Sequence, residues 1–221
     1  MNLPDSLLAE GWYWAAWVLW SPLFARAVWR APWSVFKDSS RFNLWLGLIV
    51  GLTLMWSLKA GVKPGLTLHL LGATAMTLSF GPQLAFIALN LVLAAVMVNE
   101  GGGAASFALN ALLLAGWGVF LSDRIYRIVD RFLPRHFFIY IFVNGFFGSA
   151  ATVIGVGAAA SSLMVLAGAY PAAYLLEEYL PYFLLLGFSE AWLSGMAMTL
   201  LVVYFPGWVA TFDDSRYLAG K

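Results

Sequence analysis

His69 is the side chain in this sequence whose type and surroundings most clearly suggest chemistry. It is one of two histidines and lies in the apolar run Gly-Leu-Thr-Leu-His-Leu-Leu-Gly of residues 65–72. An ionisable group in surroundings that suit lipid is costly to bury, so it usually serves a function. The alternative is an imidazole that only hydrogen-bonds a neighbouring helix or loop.

The residue types that are missing narrow the chemistry. The sequence contains no cysteine, which excludes disulfides, thiolate metal sites and cysteine nucleophiles. Any metal would need nitrogen, oxygen or thioether donors. Methionine is common in apolar cores, so packing is our interpretation of Met76, Met97, Met196 and Met198. The glycines of residues 101–103 lack the following Lys-Ser/Thr of a phosphate-binding loop, and we interpret them as an external turn.

The composition is that of a membrane protein. Of 221 residues, 62% are hydrophobic and only 10% are charged, which leaves too little polar surface for a soluble globule. A formal net charge of +1 provides no basic face for phosphates, so we expect no nucleic-acid partner. We predict an all-α, multi-pass protein of the cytoplasmic membrane with a single integral membrane domain over residues 1–221. Residues 1–6 lack the basic residues that open a signal peptide, so we expect a mature N-terminus.

Seven apolar segments are candidates for crossing the bilayer. They cover residues 9–29, 42–58, 66–80, 84–98, 104–121, 137–167 and 181–209. The third and fourth segments are short and meet at Gly81-Pro82. They therefore form either a tight helical hairpin or one broken helix.

The basic residues distinguish these two alternatives. The connection after the first segment contains Arg26, Arg30, Lys37 and Arg41, and the connection after the fifth contains Arg124, Arg127, Arg131 and Arg135. Both connections should be cytoplasmic. Only a hairpin at Gly81-Pro82 places them on the same side, so we predict about seven transmembrane helices, an external N-terminus and a cytoplasmic C-terminus.

This topology brings several polar segments to the external side, namely residues 1–10, 59–69, 99–103 and 177–178. A pocket lined by an amine, an imidazole and carboxylates could form there, with Asp5 among the candidates. Asn110 and Glu190 fall at membrane depth, where a polar side chain needs a partner. Each is a candidate cavity residue or hydrogen-bonds across helices.

Four stretches of the sequence resemble the CbiM/NikM family, the substrate-binding membrane subunits of energy-coupling factor transporters for cobalt and nickel. They are Met-Asn-Leu-Pro-Asp at 1–5, Leu-His-Leu-Leu-Gly at 68–72 followed by Gly81-Pro82, Glu-Gly-Gly-Gly at 100–103 with Ala-Leu-Asn-Ala at 108–111, and Gly-Phe-Ser-Glu-Ala at 187–191. They follow the family's order over nearly the whole chain. The resemblance implies capture of Ni(II) or Co(II) as a substrate, with no permanently bound cofactor.

The resemblance also implies which residues hold the metal. In the family, the N-terminal amine, the backbone nitrogen of residue 2 and a histidine at that position chelate the ion, and the His-Leu-Leu-Gly histidine completes a square-planar set. These roles fall on Met1, Asn2 and His69. Asn2 departs from the family's histidine, and its neutral carboxamide is a poor donor to a late transition metal. A water, Asp5 or the Asn2 side chain would complete a weaker site, or the substrate is another cation or a small organic solute.

Partners follow from the same resemblance. The sequence lacks a nucleotide-binding loop, so we expect a transmembrane coupling subunit and cytoplasmic ATPases, the latter docking near residues 122–135. Ala27 and Ala31 have the small-xxx-small spacing that lets helices approach closely, and they are candidates for the contact with the coupling subunit.

Two other functions are alternatives. An intramembrane protease needs a serine and a histidine within hydrogen-bond reach. The sequence around Ser194 lacks the pattern of such a site, so we expect no enzyme. A membrane sensor or assembly factor could use the same pocket without transport.

Overall fold

The computed structural model describes residues 2–61 and 63–218, and these residues form eight longer or α-type helices, two short 3-10 helices (Trp33–Lys37 and Pro206–Trp208) and one short β-ribbon. The helices are α1 (Glu10–Arg30), α2 (Ser39–Ser57), α3 (Ala73–Glu100), α4 (Phe107–Phe132), α5 (Phe137–Leu166), α6 (Ala172–Glu178), α7 (Tyr182–Tyr204) and α8 (Asp214–Tyr217). Strands β1 (Ala60–Gly61) and β2 (Thr67–Leu68) pair in antiparallel fashion. The predicted all-α class is thus confirmed, apart from this ribbon.

Four helices of the described residues, α3, α4, α5 and α7, are long and apolar enough to cross a bilayer. Helices α1 and α2 contain 21 and 19 residues and are not among these four. Both nevertheless expose large apolar side chains, including Trp14, Val18, Val50 and Leu54. Apolar faces of this kind need lipid or protein to cover them. The protein is therefore a multi-pass membrane protein, while the number of seven spans stays a prediction.

Helix α3 is interrupted at Gly81. This residue has φ +79° and ψ 166°, a backbone conformation that is open almost only to glycine. Pro82 contributes to the break because it has no backbone N–H and disfavours a helical conformation in the residue before it. The Gly81-Pro82 pair therefore ends one helical run and begins the next.

Contacts place the two ends of α3 near the same β-ribbon. The Lys59 ammonium lies 2.6 Å from the Glu100 carboxylate at the last residue of α3. The neighbouring Ala60 pairs with Leu68, which lies shortly before the first residue of α3. A straight helix of this length would separate its ends by about 42 Å. Gly81 therefore turns the chain back toward the end of the protein from which α3 started.

The helices give the protein two ends of different character. The His69 end comprises residues 2–10, 59–72 and 99–106, and the arginine end comprises residues 26–41, 122–136 and 205–217. At the His69 end, the Asn2 backbone N–H donates to Thr67 Oγ1 at 3.2 Å, and the Asp5 carboxylate accepts from the Ser106 backbone N–H at 2.8 Å. Three of the four polar segments that the sequence groups together thus meet at this end, and their external side stays a prediction.

At the arginine end, the C-terminal segment compensates for the break in α3. The backbone N–H groups of Ala210 and Thr211 donate to the carbonyls of Ser79 and Leu78, at 3.0 and 3.2 Å. Those carbonyls lie at the end of the first helical run, where the helix provides no partner. The return of the chain after α7 thus satisfies groups that the glycine break exposes.

Small residues let the membrane helices pack closely. A Cβ atom on Gly157 of α5 would collide with the Phe183 ring of α7, so only glycine fits this contact. Hydroxyl groups add polar contacts between helices. Ser122 Oγ lies 2.8 Å from Thr74 Oγ1 and 3.2 Å from Thr152 Oγ1, which links α4 to α3 and α5.

The conformation of Gly81 generates a stability prediction. Gly81→Ala should lower the free energy of unfolding by about 1–3 kcal/mol, because alanine strains this backbone. Gly47→Ala is the matched control, because Gly47 lies in the regular helix α2. A Cβ atom added to either glycine would meet no heavy atom of the described residues within 4 Å. Thermal unfolding in detergent measures both variants. Equal stability of the two would show that the Gly81 conformation carries no strain for alanine.

Candidate functional site

His69 lies between β2 and α3, and its imidazole is enclosed. The side chain is 3% exposed, and its ring packs on the indole of Trp56 with the centroids 4.6 Å apart. Burial lowers the pKa of His69 to about 3, so the ring is neutral at physiological pH. Its Nδ1 lies 3.0 Å from the Leu70 carbonyl oxygen. Because a carbonyl only accepts, Nδ1 carries the proton and Nε2 presents a lone pair.

Asn2 is held against the strand that leads to His69. Its backbone N–H donates to Thr67 Oγ1. Thr67 is the first residue of β2 and precedes His69 by two residues. The hydrogen bond therefore holds the backbone of Asn2 against the strand that leads to the imidazole.

The following residue is clamped by Asn110. The side-chain oxygen of Asn110 accepts from the Leu3 backbone N–H at 2.8 Å, and its amide nitrogen donates to the Leu3 carbonyl at 2.9 Å. Asn110 is fully buried and Leu3 is 1% exposed. Tyr13 adds a second anchor, because its hydroxyl donates to the Pro4 carbonyl at 2.6 Å. These contacts fix the N-terminal segment against α4 and α1.

Asp5 hydrogen-bonds the loop before α4. Its carboxylate accepts from the backbone N–H groups of Ser106 at 2.8 Å and Ala105 at 3.3 Å. Partial burial would raise the pKa of Asp5, but these hydrogen bonds outweigh burial and lower it. A Cβ on Gly103 would collide with this carboxylate. The structure thus gives Asp5 partners in the loop of residues 103–106.

Glu190 of α7 holds the chain directly after His69. Its two carboxylate oxygens accept from the backbone N–H groups of Leu71 at 2.8 Å and Gly72 at 2.7 Å. The Ser194 hydroxyl donates to the same carboxylate at 3.0 Å. Glu190 is 1% exposed, and an anion is stabilised at the N-terminus of a helix, here α3. The sequence left two interpretations of Glu190, a cavity residue or a hydrogen bond between segments. The contacts of Glu190 are of the second kind.

Three buried polar atoms at this end lack a hydrogen-bond partner. They are Oδ1 and Nδ2 of Asn2 and Nε2 of His69, among six such atoms within the described ranges. A buried polar group without a partner costs about 1–3 kcal/mol. The lone pairs of Oδ1 and Nε2 would be satisfied by a metal cation or by a hydrogen-bond donor. The imidazole nitrogen suits a first-row transition metal, whereas the amide oxygen of Asn2 is a harder and weaker donor.

Carboxylates do not surround this group. Over residues 2–61 and 63–218, no three His, Asp or Glu side chains converge on one point. A metal at His69 would therefore depend on amide and amine donors. Met1, the remaining donor that the sequence analysis named, lies outside the described residues.

Ala27 and Ala31 lie at the opposite end of the protein. Each is 8% exposed, so their small side chains pack against residues of this chain. Ala27 borders a groove that also contains Arg26 and Arg30.

Sequence reasoning missed Trp56, Thr67 and Tyr13. Each contacts a segment outside its own element through a hydroxyl group or a ring, which local sequence does not reveal. Aromatic residues are also frequent throughout this chain, so Trp56 and Tyr13 do not stand out. Trp56 also donates its indole N–H to the Leu71 carbonyl at 3.2 Å, which holds the turn after His69.

The comparison with protein families decides the relationship of this chain. The model described as cobalt uptake substrate-specific transmembrane region, CbiM, matches residues 2–208. The chain belongs to the CbiM family. A comparison with curated proteins finds no match for this CbiM-family chain.

Two solved structures share the fold of this CbiM-family protein. A crystal structure of a truncated transition metal transporter has a TM-score of 0.76 at 20% identity, covering 92% of this chain and 99% of that chain. A crystal structure of a transition metal transporter has a TM-score of 0.75 at 20% identity, covering 91% of this chain and 92% of that chain. A likeness at this level of sequence identity shows that the fold is shared, and it does not identify the metal.

The Asn110 clamp generates a prediction about the N-terminal segment. Asn110→Leu removes both hydrogen bonds to Leu3 and leaves two buried backbone groups unpaired, which costs about 1–3 kcal/mol for each group. Hydrogen exchange of the Leu3 amide should accelerate.

Asn90→Leu is the control for this experiment. Asn90 is also buried, but its side chain bonds to Trp20 and Phe86. The control should lose stability without a selective increase of exchange at Leu3. A similar exchange profile in both variants would contradict the assignment of the clamp.

Proposed function

We propose that this CbiM-family protein captures a transition-metal cation at the His69 end and serves as the substrate-binding membrane subunit of an energy-coupling factor transporter. The observation that carries the proposal is the neutral, buried imidazole whose Nε2 has no partner within the described ranges. The family's description as a cobalt uptake region supports it. The cation is the cargo of the protein, and no permanent cofactor is part of the proposal.

The proposed ligands are His69 through Nε2, Asn2 through its backbone nitrogen and its side chain, and Met1 through its amine. In the family resemblance, a histidine occupies position 2. The Asn2 side-chain oxygen is separated from its own backbone nitrogen by the same number of bonds as the near nitrogen of a histidine. Asn2 can therefore close a chelate ring of the same size with an oxygen donor in place of nitrogen.

This replacement bears on metal selectivity. A square-planar set of four nitrogens favours Ni(II), whereas an oxygen donor weakens the preference for that geometry. We therefore propose that the site binds a divalent transition metal, with Co(II) or Ni(II) as the candidates, less tightly than a site with histidine at position 2.

Asp5, Asn110 and Glu190 are proposed as supporting residues of this site. Asn110 fixes the N-terminal segment through Leu3, and Glu190 fixes the segment after His69. Asp5 holds the adjacent loop through Ser106. Outer contacts that orient metal ligands typically affect affinity roughly 10–100-fold.

A non-metal solute is the alternative substrate, and one observation favours it. Within the described part of the chain, Asn2 presents both an unpaired donor, Nδ2, and an unpaired acceptor, Oδ1, which together suit a hydrogen-bonded ligand. A sensor or assembly factor would use the same contacts without transport. An intramembrane protease has less support, because the Ser194 hydroxyl donates to Glu190 and not to a histidine.

Metal titration tests the proposed ligands. The protein with its native N-terminus is titrated with Ni(II), Co(II), Cu(II) and Zn(II), with bound metal measured by elemental analysis. His69→Ala should weaken binding by more than the roughly 10–100-fold expected for an outer contact, and Asn2→His should strengthen binding of Ni(II).

His136→Ala is the matched control for this titration. His136 is the second histidine, and at the arginine end its Nδ1 accepts from the Phe138 backbone N–H at 3.1 Å. The control should bind metal like the native protein. Native affinity in His69→Ala, or an equal loss in His136→Ala, would refute the metal site.

The contacts at both ends of α3 support seven spans, with the first run of α3 as the third span and the second run as the fourth. In this proposal the His69 end is external and the arginine end, with the C-terminus, is cytoplasmic, because basic connections stay inside. A single crossing by α3 would instead put Lys63 and Ala104 on opposite sides.

Thiol labelling tests this topology, and the chain contains no cysteine that would interfere. Lys63→Cys and Ala104→Cys are exposed positions that flank α3, and both should react with an impermeant reagent in intact cells. Arg131→Cys should react only after the membrane is permeabilised. Reaction of Lys63→Cys but not Ala104→Cys in intact cells would exclude the hairpin.

The proposed partners are a transmembrane coupling subunit and cytoplasmic ATPases. The chain lacks a nucleotide-binding loop of its own, so uphill uptake needs an ATPase. We place the coupling contact at the end that contains Ala27 and Ala31, and the ATPases near residues 122–135. Because both alanines are buried, a partner helix would meet the residues that border them.

A further inference from the structure

A groove at the arginine end takes no part in the proposed metal site, and it borders Ala27, which is also a candidate contact for the coupling subunit. It has a volume of about 770 Å³ and lies between α1, the start of the second run of α3, and α4. Its lining residues are Leu23, Arg26, Ala27, Arg30, Pro82, Gln83, Phe86, Leu112, Gly116, Trp117, Val119, Phe120, Asp123, Arg124 and Arg127.

The charged lining is strongly positive. Four arginines face a single carboxylate, Asp123, and Arg127 pairs with it at 2.6 Å. Arg26, Arg30 and Arg124 form no ion pair with any residue that the structure describes. All three are exposed. The groove therefore holds positive charge that the described residues do not neutralise.

Apart from Gln83, the rest of the lining is apolar, and it reaches the outer surface of the bundle. Leu23 is 51% exposed and Phe120 is 43% exposed. The Arg124 guanidinium lies 5.1 Å from the centroid of the Phe120 ring. Cationic groups and apolar side chains are thus neighbours within one groove, and Phe120 lies on α4, a helix long and apolar enough to cross a bilayer.

We propose that this groove binds an anionic phospholipid. The guanidinium groups of Arg30 and Arg124 contact the headgroup phosphate, for which the planar fork of arginine is well suited. An acyl chain lies along Leu23 and Phe120. A soluble anion would use the arginines alone, whereas a phospholipid uses both kinds of surface.

The position of the groove agrees with this ligand. It opens at the end that contains the basic connections of residues 26–41 and 122–136. These connections favour the cytoplasmic side, where anionic lipids attract basic residues close to the membrane surface. The lipid site is far from His69 and does not require that the protein binds metal.

Lipid retention in the full protein tests the proposal. The protein is incubated with vesicles of phosphatidylglycerol and phosphatidylcholine, extracted with mild detergent, and its bound lipid is measured by native mass spectrometry. One phosphatidylglycerol should be retained in preference to phosphatidylcholine. Arg30→Gln and Arg124→Gln should each lower the association constant of phosphatidylglycerol roughly fivefold. The double variant should lower it further.

Arg131→Gln is the matched control, since Arg131 is an exposed arginine of α4 outside the groove. It should retain phosphatidylglycerol like the native protein. If the double variant does not fold, the single variants still test the proposal. Titration with Ni(II) shows separately whether the His69 end is intact.

Three outcomes would overturn the proposal. Equal retention by the native protein and the Arg30 and Arg124 variants would remove the groove as the lipid site. Displacement of the lipid by inorganic phosphate would indicate a site for a free anion. Loss of a co-purifying coupling subunit in these variants, with no selective lipid in the native protein, would assign the groove to a protein partner.

Discussion

The hydrogen bonds between the Glu190 carboxylate and the Leu71 and Gly72 backbone connect the two halves of this structure. A buried carboxylate is costly unless it is fully hydrogen-bonded. Here it meets amide groups that the first turn of α3 cannot pair internally, and the Ser194 hydroxyl adds a third donor. Helix α7 thereby fixes the start of α3 and the short segment that presents His69. Without this contact, the segment that carries the imidazole would lose its link to α7 and would depend on the β-ribbon and Trp56 alone.

The other contacts extend this order to the N-terminal segment. Trp56 supports both the imidazole ring and the Leu71 carbonyl, so the side chain and its loop are held by one residue. Asn110 pairs with both backbone groups of Leu3, as a neighbouring strand would in a sheet. Asn2 and His69, proposed donors from opposite ends of the first 70 residues, are thus held at the same end of the protein through Thr67. Order of this kind lowers the entropy that a ligand must overcome when it binds.

The sequence could predict the features that depend on composition and local pattern. The apolar segments and the break at Gly81-Pro82 follow from local sequence, whereas the gathering of the polar segments follows from the topology that the basic residues indicate. The partners of Asn110 and Glu190 could not be predicted, because both bind backbone groups over 100 residues away. The last segment was also predicted too long, ending at residue 209, whereas α7 ends at Tyr204. Pro206 cannot continue the helix, and the chain instead returns to the carbonyls of Leu78 and Ser79.

The hydrogen bond of Asn2 has a further consequence for how the proposed site would work. The Asn2 backbone N–H donates a hydrogen bond to Thr67 Oγ1, so ligation through this nitrogen requires that the proton leaves and this hydrogen bond is lost. The departing proton also removes one positive charge from a site where carboxylates do not converge. Metal binding would then release a proton, and its strength would depend on that exchange. Satisfying the unpaired atoms of Asn2 and His69 favours the bound state, while the loss of the Thr67 contact opposes it. A transporter subunit of the proposed kind would need this balance, because a site that binds the ion too tightly would not release it.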